Sequence, residues 1–208
     1  MNMKNELHVI SNGHMTFEEL VNVAMQIESE IDYLHIRERE KSTKELYEGV
    51  ESLLRKGFPA SKIVINDRID IAILLNIPRV QLGYRSADVR SVKEKFSYLH
   101  VGYSVHSLEE AIDAFKNGAD SLVYGHVFPT DCKKGVPARG LEEVSAIAKC
   151  LSIPITAIGG ITTENTGDVL TNGVSGIAVM SGIISSSNPY SKAKSYKESI
   201  RKWAEKHV

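Results

Sequence analysis

Residues 155–182 read ITAIGGITTENTGDVLTNGVSGIAVMSG. Two apolar, β-branched runs, 155–160 and 176–181, flank a helix-length segment that ends at Gly173. This strand, helix, strand unit decides the fold, because parallel neighbours in one sheet need a crossover of that length. Toward the N-terminus the same kind of run recurs at 7–11, 33–37, 63–66, 80–83, 99–104 and 121–127. Eight strands alternating with helices in about 200 residues predict an α/β protein of the closed (β/α)₈ TIM-barrel type, with a doubly wound open sheet as the alternative.

The intervening segments carry helical periodicity, as in Phe17, Leu20, Val21, Ala24 and Ile27, or Leu46, Val50, Leu53 and Leu54, or Leu108, Ala111, Ile112 and Phe115. Thr16 with Glu19, Ser42 with Glu45 and Ser107 with Glu110 predict capping boxes at three helix starts. Gly57, Gly118 and Gly173 stand where a left-handed residue turns the chain back toward a strand. The third and fourth helices, 70–75 and 88–96, carry the least pattern. No linker or low-complexity tract interrupts the chain, so residues 1–208 read as one domain.

With 25 basic and 26 acidic side chains the formal net charge is −1, which leaves no global positive field for a nucleic-acid backbone. Cys132 and Cys150 have no metal-ligand spacing and predict reduced thiols. No apolar run reaches membrane-spanning length, and the first apolar stretch stops at Ser11, Asn12 and Gly13. These features together predict a soluble, cytoplasmic protein with no membrane and no nucleic-acid partner. A homo-oligomer is compatible with the sequence.

In such a barrel the site is built at the C-terminal ends of the strands. The glycines Gly159 and Gly160 after the seventh strand, with Ser181 and Gly182 after the eighth, predict a phosphate cup of backbone amides. Arg37, with Arg39 in the same extended segment, is placed to clamp a phosphate or carboxylate, the alternative being an ion pair with Glu38 or Glu40. His126, just before the long connection 128–140, is the best-placed acid/base. That connection carries Lys133 and Lys134 and is long enough to be functional. His106, Asn66 and Ser104 are further candidates for lining the mouth. Asp67 reads either as a substrate or metal residue or as a helix cap.

Taken in order, HIRER at 35–39, INDR at 65–68, QLG at 81–83, GYS at 102–104, GAD at 118–120, FPT at 128–130 and IGGI at 158–161 resemble the thiamine phosphate synthase superfamily over nearly the whole chain. The synthase pattern has Gln and Lys where His35 and Arg39 stand, and His and Gln where Gln81 and Tyr84 stand. It has a magnesium-binding carboxylate at Ser86 and a proline at His126. These departures resemble the TenI subfamily of thiazole tautomerases, with YGHVFPT at 124–130. That resemblance implies an isomerase aromatising a thiazole carboxylate phosphate, with a small phosphorylated thiazole as its partner and no cofactor or metal. His126 would then carry the proton, Arg37 and Lys133 would hold anionic groups, and Gly160, Ser181 and Gly182 would bind the phosphate. The alternatives are a thiamine phosphate synthase, which is a transferase, and a non-catalytic ligand sensor or transcription regulator.

Overall fold

In the computed structural model, which describes residues 5–133 and 135–207, all eight apolar runs are strands. They are β1 Glu6–Ile10, β2 Tyr33–Ile36, β3 Ile63–Asn66, β4 Arg79–Leu82, β5 His100–Val105, β6 Ser121–Gly125, β7 Ile155–Ile158 and β8 Gly176–Val179. Each pairs in parallel with its neighbour, and β8 closes on β1 with Leu7 opposite Ile177 and Val9 opposite Val179. An open sheet would leave two edges unpaired, so that last pairing excludes the doubly wound alternative. Lys134 lies outside the described residues.

The helices are α1 Phe17–Ile27, α2 Thr43–Arg55, α3 Ile69–Leu74, α4 Val89–Lys95, α5 Leu108–Lys116, α6 Glu142–Cys150, α7 Thr166–Thr171, α8 Ser181–Ile184 and α9 Pro189–His207. The box predicted at Thr16 and the one at Ser42 are complete, each satisfying two backbone donors and contributing about 1 kcal/mol. The one predicted at Ser107 is half formed. Ser107 accepts from the Glu110 amide, but the Glu110 carboxylate accepts from the His106 amide at 2.7 Å instead of returning to Ser107. Gly57, Gly118 and Gly173 have φ of +92°, +92° and +82°, the left-handed turns expected there.

Strand alternation divides the side chains into two populations. Leu7, Val9, Leu34, Ile36, Ile63, Ile65, Val101 and Ile177 face outward, are buried, and form the apolar layer beneath the helices. Inward-facing residues in the lower half of the barrel are mostly polar: Glu6, His8, Tyr33, His35, Arg79, Gln81, His100, Ser121 and Thr156. These residues line a cavity of about 150 Å³ toward the N-terminal end, so apolar packing does not fill the lower interior. Gly102 makes room for one of them, because a Cβ there would come within 2.3 Å of Gln81 Oε1.

Candidate functional site at the barrel mouth

Arg37 follows β2 directly and is anchored through its backbone, whose N–H donates to Ser11 Oγ at 2.8 Å. Its half-buried guanidinium makes no hydrogen bond or salt bridge among the described residues, so the predicted alternative of pairing with Glu38 or Glu40 is not realised. Burial lowers its pKa and Arg39 adds to the effect, while Asp67, Glu38 and Cys132 act in the opposite direction. Lys133 sits in a one-turn 3₁₀ segment, Asp131–Lys133, inside the long loop. Burial first, then Arg139 and Arg37, lower the pKa of its ammonium. Arg37, Lys133 and Arg139 therefore share one electrostatic neighbourhood and repel one another. Like charges gathered with no direct salt bridge among the described residues form a site prepared for an anion.

The long loop is fastened over this cluster by backbone bonds, Arg139 N–H to His126 O at 2.9 Å and Gly140 N–H to Val127 O at 3.1 Å. His126 takes part in the fastening. Its ring is buried, with Nε2 3.2 Å from Val136 O on the loop and Nδ1 without a partner. Gly159 and Gly160 have φ of +103° and +65° and lie against the start of the loop. A Cβ on Gly159 would fall 2.2 Å from His126 Cβ, and one on Gly160 would fall 2.5 Å from Pro129 O. Loop packing therefore demands these glycines whether or not their amides also meet a phosphate. Ser181 and Gly182 are exposed at the start of α8, where their N–H groups have no intrahelical acceptor.

The remaining candidates separate by position. Asn66 ends β3 on the inward face, with Oδ1 buried and unpartnered. Ser104, also inward, accepts from Gln81 Nε2 at 3.0 Å. His106 does not join them. Its ring lies 3.2 Å from Glu110 Oε2 and its carbonyl accepts from Arg139 Nη1 at 2.8 Å, which makes it part of the outer rim. Asp67 does not cap α3, whose N-cap is Arg68 without a side-chain bond. Instead Asp67, at φ +62°, accepts from Ser86 Oγ at 2.6 Å.

The resemblance carries magnesium with it, and the donors fit it poorly. Ser86 brings a neutral oxygen where the pattern calls for a second carboxylate, and its hydroxyl is already directed at Asp67. Among the described residues no three His, Cys, Asp or Glu side chains gather as a metal centre would require. The residues present do not fit a protein-built metal site.

The sequence pattern of the thiamine monophosphate synthase family matches residues 7–183. The chain belongs to that family. It is 37% identical to the thiamine-phosphate synthase of Pyrococcus abyssi over 200 residues, 96% of this chain and 94% of the relative. It is 36% identical to that of Clostridium acetobutylicum over 179 residues, 85% of this chain and 84% of the relative. The solved thiamine phosphate pyrophosphorylase from Pyrococcus furiosus superposes with a TM-score of 0.82 at 33% identity, covering 97% of this chain and 98% of that one. A 3-hexulose-6-phosphate synthase, at 14% identity and a TM-score of 0.73, shares the fold alone. These relatives are synthases, which are transferases, so the isomerase expectation is overturned. The proton-carrier role assigned to His126 went with that expectation.

Sequence reasoning missed Arg139, the third cation of the mouth. Its position inside GVPARG at 135–140 gives no period or strand end to mark it. Glu38, considered only as an ion-pair partner for Arg37, is a buried carboxylate whose two oxygens have no hydrogen-bond partner among the described residues.

Proposed function

We propose that the chain is a transferase of the thiamine-phosphate synthase type, joining a pyrimidine carried on a pyrophosphate to a thiazole phosphate. The observation that supports this is the cation cluster at the mouth, where Arg37 and Lys133 have no salt bridge among the described residues and Arg139 Nη1 donates to the His106 carbonyl. In the reaction the bond from the pyrimidine methylene carbon to the pyrophosphate oxygen breaks, and its electron pair leaves with the pyrophosphate. The lone pair of the thiazole ring nitrogen forms the new C–N bond. No proton or redox equivalent is consumed. The three cations lower the barrier by stabilising charge that grows on the leaving oxygen, and a cluster already assembled needs no reorganisation to do so. The amides of Ser181, Gly182 and Gly160 are the groups offered to the thiazole phosphate. His126 serves as the anchor that holds the Lys133 loop over the substrate.

A second reading, binding of the phosphorylated heterocycle without turnover, is favoured by Ser86 standing where a carboxylate would help a pyrophosphate leave. One experiment separates the two. The purified chain is given the pyrimidine pyrophosphate and the thiazole phosphate, with and without Mg²⁺, and thiamine phosphate is followed by chromatography. Turnover that Lys133→Ala slows about tenfold supports the transferase. Tight pyrophosphate binding with no product removes it and leaves the binding reading.

A further inference from the structure

The foot of the barrel, opposite the mouth, holds a second polar chamber that the transferase chemistry does not use. Glu6, Tyr33, Arg79, His100 and Ser121 are each the first residue of their strand, and all line the cavity of about 150 Å³ there. A water molecule in the liquid takes about 30 Å³, so the space suits a ligand of about five heavy atoms. In barrels of this kind that end ordinarily serves stability. A rim built for stability alone pairs its charges, and this one leaves a charge over. Asp120 accepts from Lys93 Nζ at 2.9 Å, and Glu6 Oε2 lies 3.3 Å from His8 Nε2. Arg79 is part-buried and makes no hydrogen bond or salt bridge among the described residues. Its guanidinium lies over the Tyr33 ring, 4.6 Å from the centroid. The ring covers one face of the planar cation, while the N–H donors lie in its plane and stay available.

The imidazoles around the chamber register the sign of its field. Burial first, then Arg79, lower the pKa of His100 to about 4, with Asp120 and Glu6 opposing and Lys93 adding to the drop. Burial and then His8 bring that of His35 well below its ordinary value, Asn66 opposes, and Arg79 again adds to the drop. At His100 the cation of Arg79 outweighs Glu6, the carboxylate on the same lining, and at His35 it acts while Glu6 is not among the causes. The potential inside the chamber is therefore positive, and a part-buried cation without a counter-ion is stabilised most by an anion. Ser121 Oγ, 3.0 Å from His100 Nε2, brings a hydroxyl to the same lining.

We propose that the foot chamber is a binding site for one small oxyanion, a phosphate or a short carboxylate, held by the in-plane N–H edge of Arg79 with the Ser121 hydroxyl as a further donor. Glu6 repels the anion from the same lining, which keeps the affinity low and disfavours more highly charged anions. The site takes no part in the reaction at the mouth and does not depend on the transferase reading.

The test is NMR of the full chain at neutral pH, following the Arg79 guanidinium and His100 ring signals as inorganic phosphate or acetate is added, against chloride at equal ionic strength. At least one of the two anions is expected to move both signals to saturation in the millimolar range, at about 5 mM, while chloride does not. Whichever does so names the ligand class. Arg79→Met should weaken the His100 response about tenfold or more, and Glu6→Gln should strengthen it about threefold. Calorimetric binding of inorganic pyrophosphate at the mouth should be unchanged in both variants, and Arg37→Met, which strikes the mouth, should leave the foot signals responding as in the wild type. If Arg79→Met also loses pyrophosphate binding, it marks a folding lesion, and the sign of the Glu6→Gln effect decides. Signals unmoved by both anions overturn the proposal. So does a response that survives Arg79→Met undiminished, or one that Glu6→Gln weakens.

Discussion

The two ends of the barrel interior are both polar, and they are polar in opposite ways. At the mouth, Arg37 and Lys133 carry charges that lack partners and raise one another's energy. At the foot, His8 Nδ1 lies 2.9 Å from His35 Nε2 and His100 Nε2 lies 3.0 Å from Ser121 Oγ, and burial lowers the pKa of both His35 and His100. Unpaired like charge costs stability and is released by a ligand of opposite sign. Buried histidines whose pKa is lowered are held uncharged at neutral pH, and their hydrogen bonds hold shape. Polarity alone therefore does not mark a site; the state of the partners does.

The strongest way to break this contrast is to remove charge at the mouth. Arg37→Met keeps the apolar stem and deletes the guanidinium, and it should weaken binding of inorganic pyrophosphate about 100-fold, the loss of one charge-assisted pair. Calorimetric titration reads this directly, and an affinity within twofold of wild type would mean the cation cluster is not the anion site.

Acid should act at the other end. Burial, with Arg79 assisting, lowers the pKa of His100 to about 4, and that of His35 falls well below 6.5. A histidine with a folded-state pKa below its unfolded value binds fewer protons when folded, so unfolding takes protons up. Stability then rises with pH between about 4 and 6.5 and is lost as pH falls through that window. For His100, part-exposed and so partly screened, this is worth on the order of 2 kcal/mol. Calorimetric Tm values at either end of the window would show it, and His100→Gln should shrink the difference. If the variant loses stability over the same range as fully as the wild type, the foot is not what titrates.

The smallest effect is expected at the rim, which belongs to neither end. His106→Ala removes an exposed pair with Glu110 and should change stability by about 0.5 kcal/mol or less, with pyrophosphate affinity unaltered. A tenfold loss of affinity would return His106 to the mouth and blur the contrast.

Much of the fold was legible because its signals are local. The run Ile63–Asn66 was read with its observed bounds, and the glycine stops were read from chemistry that acts within one turn. The half-formed box at Ser107 escaped because Glu110 had a rival donor in the His106 amide. Arg37 and Asn66 were singled out from their place at strand ends, and the structure puts both at the C-terminal end of the barrel. Ser86 was read as a lost metal ligand, but its grip on Asp67 joins residues 19 apart in sequence and has no pattern along the chain. Gly159 and Gly160 were assigned to phosphate from a dipeptide, whereas the loop packed on them already accounts for the absence of side chains.

Alternation of period two and the helical period, punctuated by caps and glycines, was enough by itself to specify an eight-fold strand and helix repeat. That is so because both periods are properties of the backbone and need no partner from elsewhere. Tertiary structure alone decided which polar groups are satisfied. Pairing of β1 with β2 sets His8 Nδ1 2.9 Å from His35 Nε2, and the long loop brings Lys133 and Arg139 into the neighbourhood of Arg37. Hydrogen bonds and charge interactions depend on distance through space, and a chain of symbols records only distance along it.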